Sequence, residues 1–141
     1  MRRLLFPLGV ALLGCDVKEP VPDRPVATSA LVLVRPLGEV DARVVDSAAQ
    51  AIRVVHGLRV MVAAPVTLPL EAWTNVRTPR YRADTLISWL RATKPDSVDL
   101  IVGVTDQDIS ITKYDAEGKV KEPVARYRDF GIYGLGYMGG P

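Results

Sequence analysis

The chain has 141 residues, which is enough to bury one core and too few for two full domains. Its 48% hydrophobic and 24% charged residues sit near the globular average, excluding both a disordered chain and a bundle of membrane helices. The formal charge is +2; leaving aside Arg2 and Arg3, which fall in an expected leader, the 18 basic residues become 16 against 16 acidic ones. A neutral chain without clustered cations argues against nucleic acid as a partner.

Met1-Arg2-Arg3 supplies a short cationic start, and residues 4–13 form an apolar run of secretory-leader length, too short to span a bilayer. The run closes in Leu12-Leu13-Gly14-Cys15, which resembles a bacterial lipobox. On this reading residues 1–14 are a lipoprotein signal peptide and Cys15 is the site of lipid attachment. The partner is then a membrane, and the location is the bacterial cell envelope on its periplasmic or surface side. The plainer alternative is an ordinary signal peptide, or an apolar start with a buried cysteine. Residues 15–29 carry Pro20, Pro22 and Pro25 among charges, a composition that favours an extended tether.

The folded part is expected over residues 30–141. Ala30-Leu31-Val32-Leu33-Val34 reads as a strand buried on both faces, closed by Arg35-Pro36. From Asp41 as N-cap, Val44, Val45, Ala48, Ala49, Ile52 and Val55 recur on a helical stripe that Gly57 stops. Residues 59–63 read as a second strand, after which Pro65 and Pro69 force an irregular connection and residues 73–80 an extended loop. Ala83, Leu86, Ile87 and Leu90 mark a second helix over 82–93, which Pro95 ends. Residues 98–104 read as a third strand buried on both faces, giving a βαβαβ order. Residues 109–112 and 119–124 flank the turn Asp115-Ala116-Glu117-Gly118 as a hairpin or excursion, and residues 131–136 look like a glycine-interrupted edge strand. The fold class is therefore α/β, with two helices on a mixed sheet and an additional C-terminal hairpin or edge strand.

Few residues carry chemistry. Cys15 is the one cysteine and His56 the one histidine, so no intrachain disulfide can form and a zinc site of three or four ligands has no donors of the usual kind. Asp106 and Asp108 follow the third strand, where open α/β sheets place ligands. An Asp-x-Asp at a strand end resembles the nucleophile motif of haloacid-dehalogenase phosphatases with their magnesium ion. There, however, it follows the first strand, and the accompanying Lys and acidic motifs are not evident. The simpler expectation is that both carboxylates accept backbone N–H groups in the turn. His56 is expected to serve the end of the first helix. Trp73, Tyr81, Trp89, Tyr127 and Tyr133 form no stripe and read as packing residues. Arg77, Arg80 and Arg82 read as a solvated cluster with ion pairs. Gly134 and Gly136 lack the strand-to-helix setting of a phosphate loop.

Taken in order, Arg35-Pro36-Leu37-Gly38, Val66-Thr67-Leu68-Pro69-Leu70, Arg80-Tyr81-Arg82-Ala83 with Leu86, Gly103-Val104-Thr105-Asp106-Gln107-Asp108-Ile109 and Phe130-Gly131-Ile132-Tyr133-Gly134-Leu135-Gly136 resemble the archaemetzincin family over about residues 30–138. The resemblance implies a zincin-like catalytic domain that hydrolyses peptide bonds in peptide or protein substrates. In that family three His of HExxHxxGxxH hold zinc and the Glu acts on the metal-bound water. That segment lies C-terminal to these blocks and does not occur here. The expectation is an incomplete metzincin-type domain: a truncated N-terminal portion with no cofactor and no catalytic activity of its own, zinc belonging to the full-length relative. Without the active-site helix, a sheet face should stand uncovered and promote association. The alternative is a non-catalytic α/β lipoprotein that serves as a binding module of the envelope.

Overall fold

A computed structural model describes residues 29–137. Cys15, the leader and most of the proposed tether lie outside the described residues. Strand β1 (Leu31–Pro36) is the centre of a three-stranded parallel sheet ordered β2-β1-β5, with β2 at Arg59–Val62 and β5 at Leu100–Val104. Val32, Leu33 and Val34 are buried, as a β-branched run covered on both sides should be. The strand does not stop at Arg35: Arg35 pairs with Gly103 and Pro36 with Val104. Pro36 is tolerated because it is the last residue of β1, where its carbonyl accepts Val66 N–H and its missing donor interrupts nothing further.

Helix α1 (Ala42–His56) starts where the Asp41 carboxylate accepts the Arg43 N–H and ends where Gly57, at φ +64°, donates its N–H to the Arg53 carbonyl. Both ends agree with the sequence reading. Val45 and Ala49 are buried against Val34, with Ile52, Val60 and Val104 packed alongside. Val44 and Val55, expected on the same stripe, are exposed. The covered stripe is thus narrower than the apolar one.

Helix α2 (Ala83–Ala92) leaves β4 (Arg80–Arg82) without a linker. Paired residues of a parallel ladder share a face, and the register sets Val32 beside Val60 and Leu33 beside Ile101. Since Val34 and Val60 meet α1 whereas Ile101 meets Leu86 and Leu90 of α2, the two helices cover opposite faces. Burying Leu37, Leu86 and Leu90 stabilises the α2 side by about 1.5–3 kcal/mol each.

The rest departs from the single mixed sheet that the sequence suggested. A second sheet has the order β3-β4-β6-β7, where β3 is Trp73–Thr74, β6 is Ile109–Ile111 and β7 is Phe130–Ile132. β4 and β6 are parallel, and the outer pairs are antiparallel. Residues 73–80, expected as a loop, therefore begin and end in strand, preceded by a 3₁₀ turn at Leu70–Ala72. The hairpin or excursion expected around Asp115–Gly118 is a short one, closed by the antiparallel bridge of Tyr114 with Val120 and by the Lys121 N–H on the Lys113 carbonyl, while β6 itself takes β7 as its partner. Helix α3 (Val124–Tyr127), one turn long, was not foreseen. β5 is not buried on both faces: Leu100 is 44% and Val102 36% exposed, because α1 stops short of this edge. The class is mixed α/β, with two sheets and three helices among the described residues.

Candidate functional site

The C-terminal end of the parallel sheet gathers most of the residues that carry the sequence motifs. Leu37 from the end of β1, Val66 and Leu68 from the loop after β2, Tyr81 from β4 and Ile109 from β6 all pack into one cluster with Ala72, Leu86 and Leu90. Gly103 of β5 closes that cluster. A Cβ there would lie 2.7 Å from Leu90 Cδ1 and 3.0 Å from Leu37 Cδ1, so a larger residue would have to push these two buried leucines aside. Gly38, at φ +81°, turns the chain after Leu37, and its N–H donates to the Val66 carbonyl.

Beside this core runs a groove of about 1110 Å³, lined by Ile87, Leu90 and Arg91 of α2, by β5 and by residues 131–137. Tyr137 stacks its ring 4.0 Å from the Arg91 guanidinium at one wall. Asp106 and Asp108 also line the groove, both exposed, at the end of β5. The expectation that their carboxylates accept turn N–H groups is corrected. The Thr105 hydroxyl takes the Gln107 N–H, the Asp106 carboxylate takes the Gln107 side-chain amide, and Asp108 contributes its backbone carbonyl to the Tyr81 N–H.

The arginines divide. Arg82 is bonded to the Arg128 carbonyl, to Thr112 and to Asp84. Arg80 places Nε 3.9 Å from Asp129 Oδ2, while Arg77 is exposed in the loop between β3 and β4. Asp129 is fully buried, and neither of its oxygens has a hydrogen-bond partner among the described residues. Ser110, on β6, is likewise buried with its hydroxyl unpartnered among them. Sequence reasoning missed both. Asp129 sits in the polar stretch Arg126-Tyr127-Arg128-Asp129, which reads as a solvated turn, and only the pairing of β6 with β7 carries it inside.

His56 is exposed at the end of α1. The aromatic residues stay apart: Tyr81 and Trp89 join the core, Tyr127 stacks on Phe130 with centroids 5.7 Å apart, and Trp73 and Tyr133 are exposed. Gly134 and Gly136 have open space where a side chain would be. The zinc that the family resemblance implies needs three or four ligands. Among the described residues no three His, Cys, Asp or Glu side chains come together, so these residues do not fit a zinc ion. Among them, too, no helix is long and apolar enough to cross a membrane. Compared with protein-family models, curated proteins and solved structures, the chain matches none.

Proposed function

We propose that this chain is the N-terminal scaffold of an exported, lipid-anchored, archaemetzincin-like zinc peptidase, with the zinc ligands and general base supplied by sequence beyond it. One observation carries the reading. Four of the five blocks that resemble the family are scattered from Arg35 to Ile109 in sequence, yet Leu37, Val66, Leu68, Tyr81, Leu86, Gly103 and Ile109 meet in one core at the carboxyl end of the parallel strands. Ligands of open α/β sheets bind at that end, so a scaffold there is where an added catalytic helix and its metal would be useful. In this role the present residues position and pack. They do not perform hydrolysis, and substrate peptide belongs to the full-length relative.

The anchor rests on Leu12-Leu13-Gly14-Cys15. Several acyl chains on one cysteine would hold the protein to an envelope membrane, since each buried CH₂ contributes ~0.8 kcal/mol. A second reading, a non-catalytic envelope binding module, draws on the groove beside β5 and its Asp106 and Asp108 mouth. The gene beyond the Pro141 codon separates the two. HExxHxxGxxH in any forward frame supports the peptidase scaffold, whereas a clean stop followed by unrelated sequence contradicts it and leaves the binding module.

A further inference from the structure

We propose that β5 is the seam of a two-fold homodimer, pairing antiparallel with β5 of a second copy to join the two three-stranded sheets into one. β5 is bonded to β1 on one side, and among the described residues no backbone hydrogen bond reaches its other edge. An unpaired edge of this kind is a template for another strand unless charge, proline or a covering segment blunts it. Residues 100–104 contain neither charge nor proline. Residues 133–137 line the same groove as β5, and among the described residues they make no backbone hydrogen bond to it.

The side chains agree with the backbone. Leu100 and Val102 are exposed on the α1 face, with Val104 half-buried beside them. Antiparallel pairing centred on Val102 sets Leu100 against Val104 of the partner subunit, so every β5 residue on that face gains an aliphatic neighbour and loses water. The charges select the same register. Carried two residues further, it brings the partner's Asp106 opposite Val98, whose carbonyl already holds the Lys94 ammonium. Symmetry repeats the Asp106–Lys94 approach on the other side of the axis. Sliding the copy by two residues toward the start of β5 would set Asp106 against Asp96, two like charges.

The edges at β2 and β7 are poorer seams. β2 has four residues, begins with Arg59, and has the Arg53 guanidinium bonded to its Val60 carbonyl. Self-pairing there would bring cations together without acids. β7 has three residues with Gly131 at its centre, a weak strand for self-association. The β5 pairing does not depend on the peptidase reading, since it uses only residues of the described fold.

The test uses the full chain with Cys15→Ser, which removes its own cysteine, and Val102→Cys. Across a two-fold axis residue 102 faces its own copy, at a Cα separation of about 4.5–5.5 Å, within the span of a disulfide. Oxidation should give a covalent dimer, whereas Val62→Cys on β2, also exposed on that face, should not. In sedimentation equilibrium, Lys94→Glu should raise the dimer dissociation constant roughly tenfold. Lys94→Glu with Asp106→Lys should restore it, an outcome that a merely unfolded variant cannot produce. A monomeric protein, equal crosslinking at 62 and 102, or no rescue by the double variant overturns the proposal.

Discussion

Replacing Arg80 by methionine removes the one cation that, among the described residues, pairs with a carboxylate wholly inside the protein. Asp129 has no exposure, and Arg80 Nε stands 3.9 Å from its Oδ2. At an effective dielectric near 20, unit charges at that distance attract by about 4 kcal/mol. The Arg80 side chain retains 16% exposure, so water screens part of this, and the net loss is about 3 kcal/mol, at the low end for a broken buried pair. Urea denaturation should show the Arg80→Met midpoint falling by roughly 2 M with an unchanged slope. Adding Asp129→Asn should recover at least about 1 kcal/mol, because the buried charge goes with its partner. An Arg80→Met variant within about 0.5 kcal/mol of the parent, or a double variant no better than the single, would falsify the claim that this pair holds β4 to the turn before β7.

Gly103→Ala should destabilise by about 2 kcal/mol, since its Cβ would drive into Leu90 and Leu37, both buried, while Gly134→Ala, facing open space, should leave the thermal midpoint unchanged; equal effects at the two sites would contradict the tight packing of α2 on β5. Gly57→Ala forces a Cβ into the left-handed region at φ +64° and should cost about 1 kcal/mol without any clash, measured by thermal melting. The Arg43 side chain, and then its backbone N–H, hold the Asp41 carboxyl below its ordinary value. A carboxylate lowered in the folded state adds stability that is complete above the ordinary carboxylate range and is lost as pH falls below it. NMR titration should therefore find the Asp41 midpoint low in the parent and raised in Arg43→Ala; an unmoved midpoint would refute the assignment.

What the sequence made legible was local chemistry and periodicity. α1 has its Asp41 cap and Gly57 stop where they were expected, and β1, β2, α2 and β5 follow in the anticipated order because β-branched runs and helical stripes report burial directly. Illegible were features set by distant pairing. Trp73-Thr74 is strand only because Tyr81 and Arg80 lie opposite, and β6 pairs with β7 across an intervening excursion rather than with the nearer segment. The exposure of Leu100 and Val102 is of the same kind. A strand rich in valine and isoleucine reads as buried on both faces, but its place at the sheet's edge depends on which strands stand beside it. At the candidate site, the sequence marked Asp106 and Asp108 and overlooked Asp129, because burial of a lone carboxylate leaves no periodic trace.

Zinc uptake tests the scaffold reading most directly. The purified 141-residue chain should take up no zinc stoichiometrically and cleave no peptide, while the same chain extended through a downstream HExxHxxGxxH segment should bind one zinc and cleave peptide in a chelator-sensitive manner. Tight binding of one zinc by the 141-residue chain alone, with cleavage abolished by chelation, would contradict the account.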